Sequence, residues 1–232
     1  MDISQFDPKT QDYLIEKLNP FLTDNRKDLF NRILSFRTRH MVVVAEDIFQ
    51  ERNAGAMMRT CDCFGIQDFH LIENKYSKKV THSIAKGAEK WITRTNHKRD
   101  EENTLSCIQD LKSKGYRIVA TTPHTNDQEL YDFDVTQPAA FFFGSEDPGI
   151  SEVVEEHADE FLRIPIYGFT ESYNVSVATA LILQHVTYKL RQSDVKWQLS
   201  DDDKRELYLE WALKTIKKAD IMAESFLKEY HG

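Results

Sequence analysis

Glycine is scarce in this chain, with eight in 232 residues and no two of them in a G-x-G arrangement. That excludes the glycine-rich fingerprint of dinucleotide binding and the phosphate-cradling P-loop, both of which need backbone amides exposed by glycine. No G-x-S-x-G elbow occurs, and the histidines fall outside H-E-x-x-H spacing, so redox, kinase, hydrolase and zinc-protease readings all lose support. Cysteine is also rare. Cys61, Cys63 and Cys107 make an odd number, and a single C-x-C pair has neither the partners nor the spacing of a zinc site, so reduced, buried thiols and no structural metal are expected. There is no run of about 18 apolar residues that would cross a membrane. The opening MDISQFDPKTQDY is acidic and polar where a signal sequence is basic and then apolar, so no membrane partner is expected and the expected location is the cytoplasm.

What is present is 41% hydrophobic residues, enough for one substantial core with small terminal attachments. The formal net charge of −8 argues against broad sequence-independent binding of nucleic acid but leaves room for a local basic face. Asp7-Pro8 predicts a helix to residue 18, and Thr23 caps a second from Asp24 to about Phe36, striped by Leu29, Phe30, Ile33 and Leu34. MVVVAE (41–46) reads as a buried strand, Ala54 to about Phe64 as a helix stopped by Gly65, and DFHLIE (68–73) as a second strand. Further strands are expected at 91–95, 116–122, 139–144 and 161–166, and helices near 101–114, 150–158 and from Asn174 to about 190. Strands alternating with helices imply an α/β fold with a largely parallel sheet between helices. After residue 192 the chain is charged, and Leu207, Tyr208, Trp211, Ala212, Ile216, Ile221 and Phe226 recur at helical spacing. The expected organisation is a helical extension over 1–40, an α/β domain over 41–192 and a helical extension over 193–232.

Three polar clusters stand at the ends of expected strands. In NAGAMMRTCDCFG (53–65), Asn53 alone reads as a helix N-cap, whereas Arg59, between Met57, Met58 and Cys61, needs a partner, either a structural carboxylate or a substrate phosphate. FFFGSEDPGIS (141–151) is an apolar strand running into a turn bracketed by glycines and carrying Glu146. Its plain reading is a Pro-Gly turn with Ser151 capping the next helix. Its functional reading puts a carboxylate and free amides at the carboxyl edge of a parallel sheet, where open α/β folds bind ligands. The third cluster, YGFTESYN (167–174), places Ser172 and Asn174 just ahead of a buried helix.

No one cluster is specific, but their order is. N-x-G-x-x-x-R-T-x-x-x-F-G after a strand, then F-x-G-x-E-x-x-G-I-S, then I-P-x-x-G-x-x-x-S-x-N-V-S-V-A resembles the three motifs of the SpoU/TrmH family of RNA ribose 2′-O-methyltransferases, over residues from about 42 to 190. The flanks, LTDNRKDLFNRILSFR, KGAEKW (86–91) and the charged tail, are similar to its tRNA branch. The resemblance implies a carboxyl-terminal trefoil knot, S-adenosyl-L-methionine as methyl donor, a homodimer, and tRNA as substrate, with a D-loop guanosine as the target. It implies catalytic roles for Asn53, Arg59, Glu146, Ser172 and Asn174, and cofactor contacts from Thr121, Thr122, Gly144, Ile164, Ile166, Ser172, Asn174 and Ala178. Phosphate contacts are expected from Arg26, Lys27, Arg32, Arg37, Arg39, Lys204, Arg205, Lys214, Lys217 and Lys218. Two departures stand out: the middle of the second motif reads GSEDPG, and Tyr173 stands where leucine is common. The alternatives are the same chemistry on ribosomal RNA, which the short segment before the first strand disfavours, and a non-catalytic RNA-binding protein, which should have lost Arg59 or the Ser172/Asn174 pair.

Overall fold

The computed structural model describes residues 1, 3–75, 87–98, 102–123 and 128–231. Contacts divide the chain into two compact units, one of residues 38–197 and one of residues 1–37 with 198–232.

The larger unit is a seven-stranded sheet in the order β3-β2-β1-β6-β4-β7-β5. Its strands are β1 (Thr38–Glu46), β2 (Ile66–Ile72), β3 (Thr93–His97), β4 (Arg117–Thr121), β5 (Gln128–Glu129), β6 (Ala139–Phe143) and β7 (Glu160–Arg163). Every described pairing is parallel. Parallel strands buried on both faces need helices on both sides, and the alternation of side chains along β1 shows how they are supplied. Met41, Val43 and Ala45 face α3 (Glu51–Phe64) and α6 (Val175–Gln192) through Met57, Met58, Cys61, Ile182, Leu183 and Val186. Val42 and Val44 face α4 (Asn103–Ser113) and α5 (Glu152–His157) through Cys107, Ile108, Leu111 and Val154.

Several expected boundaries move. The helix expected from Ala54 starts at Glu51, so Asn53 lies inside its first turn and Gln50 holds the N-cap position. The strand expected over 161–166 ends at Arg163, and residues 164–174 run as a loop into α6. Of the three thiols only Cys61 and Cys107 are buried, while Cys63 is exposed. Of the KGAEKW stretch, Lys86 lies outside the described residues, and Ala88–Lys90 form a single 3-10 turn.

The smaller unit holds α1 (Pro8–Leu18), α2 (Asp24–Leu34), α7 (Asp201–Thr215) and α8 (Ala219–His231). Asp7, Thr23 and Ser200 each accept a backbone N–H and start α1, α2 and α7, Ser200 as half of a reciprocal capping box with Asp203. Leu14, Leu18, Leu209 and Ala223 form its core, beside Phe30 packed edge-on against Tyr208 and Trp211. Ile221, expected on the apolar stripe, is instead 64% exposed. Among the described residues no helix is long and apolar enough to cross a membrane.

Candidate active site

β4, β6 and β7 end side by side, and the chain beyond each of them walls a cavity of about 310 Å³. Thr121, Thr122, Gly144, Ile164, Ile166, Ser172 and Ala178 all line it; of the residues expected to hold a cofactor, Asn174 alone is not among the lining. Their own hydrogen bonds explain why they stay in place. The Thr121 hydroxyl donates to the Phe142 carbonyl at 2.8 Å, and the Thr122 N–H donates to the Leu162 carbonyl at 3.1 Å. Gly144 is required by a close approach, since a Cβ there would stand 2.1 Å from the Gly149 carbonyl carbon and 2.2 Å from the Ile150 nitrogen. Gly149 itself has φ +98°, a conformation side chains rarely adopt. The turn they bracket contains a cis Asp147–Pro148 bond.

At the lip of the cavity the three sequence clusters meet through one carboxylate oxygen. Glu146 Oε1 accepts from Asn53 Nδ2 at 2.9 Å and from Asn174 Nδ2 at 3.0 Å. Asn174 Nδ2 also reaches Asn53 Oδ1 at 3.3 Å. The other end of Asn174 caps α6: its Oδ1 accepts from the Ser176 N–H at 3.0 Å and the Ser176 hydroxyl at 2.7 Å. Asn53 is therefore a bridge to Glu146, not the helix cap that its position in the sequence suggests.

A further carboxylate, overlooked in the sequence, anchors the same turn. Glu46 is 2% exposed at the end of β1. It accepts from the Ser151 N–H at 3.0 Å, the Ser151 hydroxyl at 2.8 Å and the Thr104 hydroxyl at 2.6 Å. An acid closing an otherwise apolar strand was the signal available, because a buried carboxylate must find donors.

Arg59 does not join this cluster. It was expected to be embedded among Met57, Met58 and Cys61, but it is exposed, and it borders a separate cavity with Arg52, Ala56, Thr60, Cys63, Phe64 and Ala180. Helix geometry accounts for this: six positions after Asn53 is about 120° round the axis and ~9 Å along it.

The expected phosphate contacts differ in their surroundings. Arg37 is 1% exposed with its guanidinium 5.5 Å from the Trp211 ring centre, so it is a core group and not a phosphate contact. Arg39 pairs with Asp68 at 3.3 Å, and Arg205 is held by Asp202, Asp12 and Gln11. Lys27, Lys204 and Lys214 pair with Asp24, Asp201 and Glu210 one turn away, and such surface pairs exchange readily. Arg26 is half-buried, 5.9 Å from the Phe30 ring centre, while Arg32, Lys217 and Lys218 are exposed.

Residues 40–184 match the model of the SpoU rRNA Methylase family. A tRNA (guanosine(18)-2′-O)-methyltransferase of Borreliella burgdorferi is 36% identical over 200 residues, covering 86% of this chain and 90% of that protein. The crystal structure of the Aquifex aeolicus TrmH/SpoU tRNA modifying enzyme superposes with a TM-score of 0.75 at 26% identity, covering 84% of this chain and 98% of that one. The SpoU methyltransferase AviRb from Streptomyces viridochromogenes, solved in complex with the cofactor AdoMet, shares the fold at 20% identity with a TM-score of 0.57, covering 70% of this chain and 62% of that one.

Proposed function

The chain belongs to the SpoU rRNA methylase family, and we propose that it transfers a methyl group from S-adenosyl-L-methionine to a ribose 2′-hydroxyl of tRNA, at a guanosine of the D-loop. The observation that carries this reading is the meeting of Asn53, Glu146 and Asn174 at the mouth of the cavity beyond β4, β6 and β7. The substrate follows the relative that is 36% identical over most of both chains and is named for guanosine 18 of tRNA.

The cavity suits such a methyl donor. Leu162, Ile164, Ile166 and Ile182 offer an apolar wall for an adenine ring, and Glu146, Glu155 and Glu171 border the same space, where a sulfonium and an ammonium need negative charge. Bound there, the donor would supply an electrophilic methyl to the 2′-oxygen, with S-adenosyl-L-homocysteine as the leaving group and the hydroxyl proton released to solvent. The protein's work is then to align the hydroxyl and favour loss of its proton. Arginine remains protonated in proteins and is a poor base, so Arg59 acts as a cation that lowers the pKa of the hydroxyl and holds the neighbouring phosphate. Ser172 orients the ribose. Glu146, by accepting from both amides, fixes the turn and the start of α6 in one geometry.

Asn53 and Arg59 leave α3 on different sides, so the reading also requires a homodimer in which Arg59 of one protomer reaches the cofactor cavity of its partner. Support comes from α6, where Val177, Leu181 and Tyr188 are 45%, 39% and 64% exposed at spacings of one helix face. Their neighbour Ala180 borders the Arg59 cavity. The loop over 164–174 forms the knot by passing through the chain before α6, and the methyltransferase domain corresponds to the unit of residues 38–197. Exposed Arg32, Lys217 and Lys218, with the exchangeable lysines, supply phosphate contacts.

The test is to incubate the protein with labelled donor and either tRNA transcripts or ribosomal RNA, then map the 2′-O-methylated nucleotide. Label at a D-loop guanosine is expected. Label confined to ribosomal RNA would keep the reaction and replace the substrate, and no transfer to either would leave only RNA binding.

A further inference from the structure

On the α4 side of the sheet, three side chains with no part in methyl transfer converge. His97, the last residue of β3, pairs with Ile72 in the register, so it leaves the sheet on the same face as Ile72 and His70. That is the face packed against Cys107, Ile108 and Leu111 of α4. His70 Nδ1 lies 2.9 Å from His97 Nε2 and 3.6 Å from Cys107 Sγ, and the three atoms fall within 4.8 Å of one another. His70 is 6% exposed and Cys107 is fully buried, while His97 is partly open.

Hydrogen bonding explains only half of this arrangement. A neutral imidazole nitrogen carries either one proton or one lone pair, so His70 Nδ1 can make one good hydrogen bond, to His97 at 2.9 Å, which leaves its 3.6 Å contact with Cys107 weak. A metal ion removes the conflict, because all three atoms can then direct lone pairs at a single point. Tetrahedral zinc, with bonds of about 2.0 Å to nitrogen and about 2.3 Å to sulfur, sets its ligand atoms about 3.3 Å (N to N) and about 3.5 Å (N to S) apart. The His70 Nδ1–Cys107 Sγ separation, 3.6 Å, is close to that value, the two nitrogens at 2.9 Å need to part by a few tenths of an ångström, and His97 Nε2 and Cys107 Sγ, which lie within 4.8 Å, draw together around the ion.

We propose that His70 Nδ1, His97 Nε2 and Cys107 Sγ form a site for one Zn²⁺ ion, with water as the fourth ligand on the open side of His97. Two imidazoles and a thiolate suit zinc and not magnesium or calcium, which require oxygen donors. Binding releases the thiol proton to solvent. Burial, and after it the carboxylates of Asp110 and Glu46, favour the protonated thiol of Cys107, with Lys114, which is paired to Asp110, opposing them, so the ion must displace that proton. The ion ties β3, an edge strand, to β2 and α4. The ligands stand at 70, 97 and 107, with no short Cys or His spacing, so the site is invisible until the strands are paired.

The test uses the full chain, stripped with a chelator, titrated with Co²⁺ and followed by absorbance, and titrated with Zn²⁺ against a chromophoric chelator. One metal per chain is expected, with a thiolate-to-cobalt charge-transfer band and the strong visible bands of tetrahedral cobalt. Cys107→Ser should abolish the charge-transfer band, and His97→Asn should weaken zinc binding at least tenfold. Cys63→Ser should change neither, which separates this site from the exposed thiol. Circular dichroism reports whether each variant is folded, and if Cys107→Ser is not, His97→Asn carries the comparison. A folded wild-type protein without the charge-transfer band, or zinc bound as tightly by folded Cys107→Ser or His97→Asn as by wild type, would overturn the proposal.

Discussion

Arg59 and Arg37 show how differently two arginines in one chain can be used. Arg59 is exposed beside the apolar face of α6, and Arg59→Ala should slow methyl transfer by ~10²–10³-fold, the usual cost of removing one group that stabilises developing charge. Its affinity for the methyl donor should stay within a few-fold, which equilibrium dialysis would check. Arg37 is sealed against Trp211. Arg37→Ala should therefore lower the melting temperature and leave the salt dependence of tRNA binding unchanged, whereas Lys217→Ala should reduce the slope of log K against log salt by about one. A second contrast lies in the titrating groups on the α4 side. Burial, with His97 and Lys114 nearby, lowers the His70 pKa from 6.5 to about 4, and burial pushes the Cys107 thiol up to about 12. A depressed histidine pKa means that the unfolded chain binds the proton more readily than the folded one. The resulting stability is complete above about pH 6.5 and fades as the pH falls towards 4. Urea titrations of chelator-treated protein across that window should show the loss, and His70→Asn should flatten it. The same thiol should resist maleimide long after the exposed Cys63 has reacted.

At the scale of elements, the turn between β6 and α5 and the loop before α6 are where sequence and site meet. Gly144→Ala would force a Cβ onto the backbone of Gly149 and Ile150, and relieving it must displace the turn that carries Glu146. It should cost about 1–3 kcal/mol of stability and abolish binding of the methyl donor, measurable by calorimetry. The strands were legible because a parallel sheet buried on both faces demands continuous apolar runs such as MVVVA and AAFFF. β5 has two residues and left no pattern to read. The start of α3 was obscured by polar ERN, which belongs to its first turn. Arg59 departs from its expected apolar setting because its neighbours in sequence are not its neighbours in space. Ala54, Met57, Met58 and Cys61 recur at the spacing of one buried face, and Arg59 lies off it. The contacts of Asn53 and Asn174 with Glu146, 93 and 28 residues away, have no local signature; the motifs marked the residues but not their bonds.

For the molecule as a whole, the proposed homodimer pairs the cofactor cavity of one protomer with Arg59 of the other. Two inactive variants should then complement each other. Mixing Arg59→Ala with Asn174→Ala protein after subunit exchange should restore activity to about a quarter of wild type, since half the dimers are mixed and each holds one intact site. Sites completed within a single chain would show no recovery. The proposed acceptor, a ribose 2′-hydroxyl of a D-loop guanosine, can be tested without reference to the dimer. The most direct measurement is transfer of labelled methyl to tRNAs in which each D-loop guanosine in turn is replaced by 2′-deoxyguanosine. The account predicts that one replacement abolishes labelling while the others leave it intact. Undiminished labelling of every deoxy-substituted tRNA would contradict it.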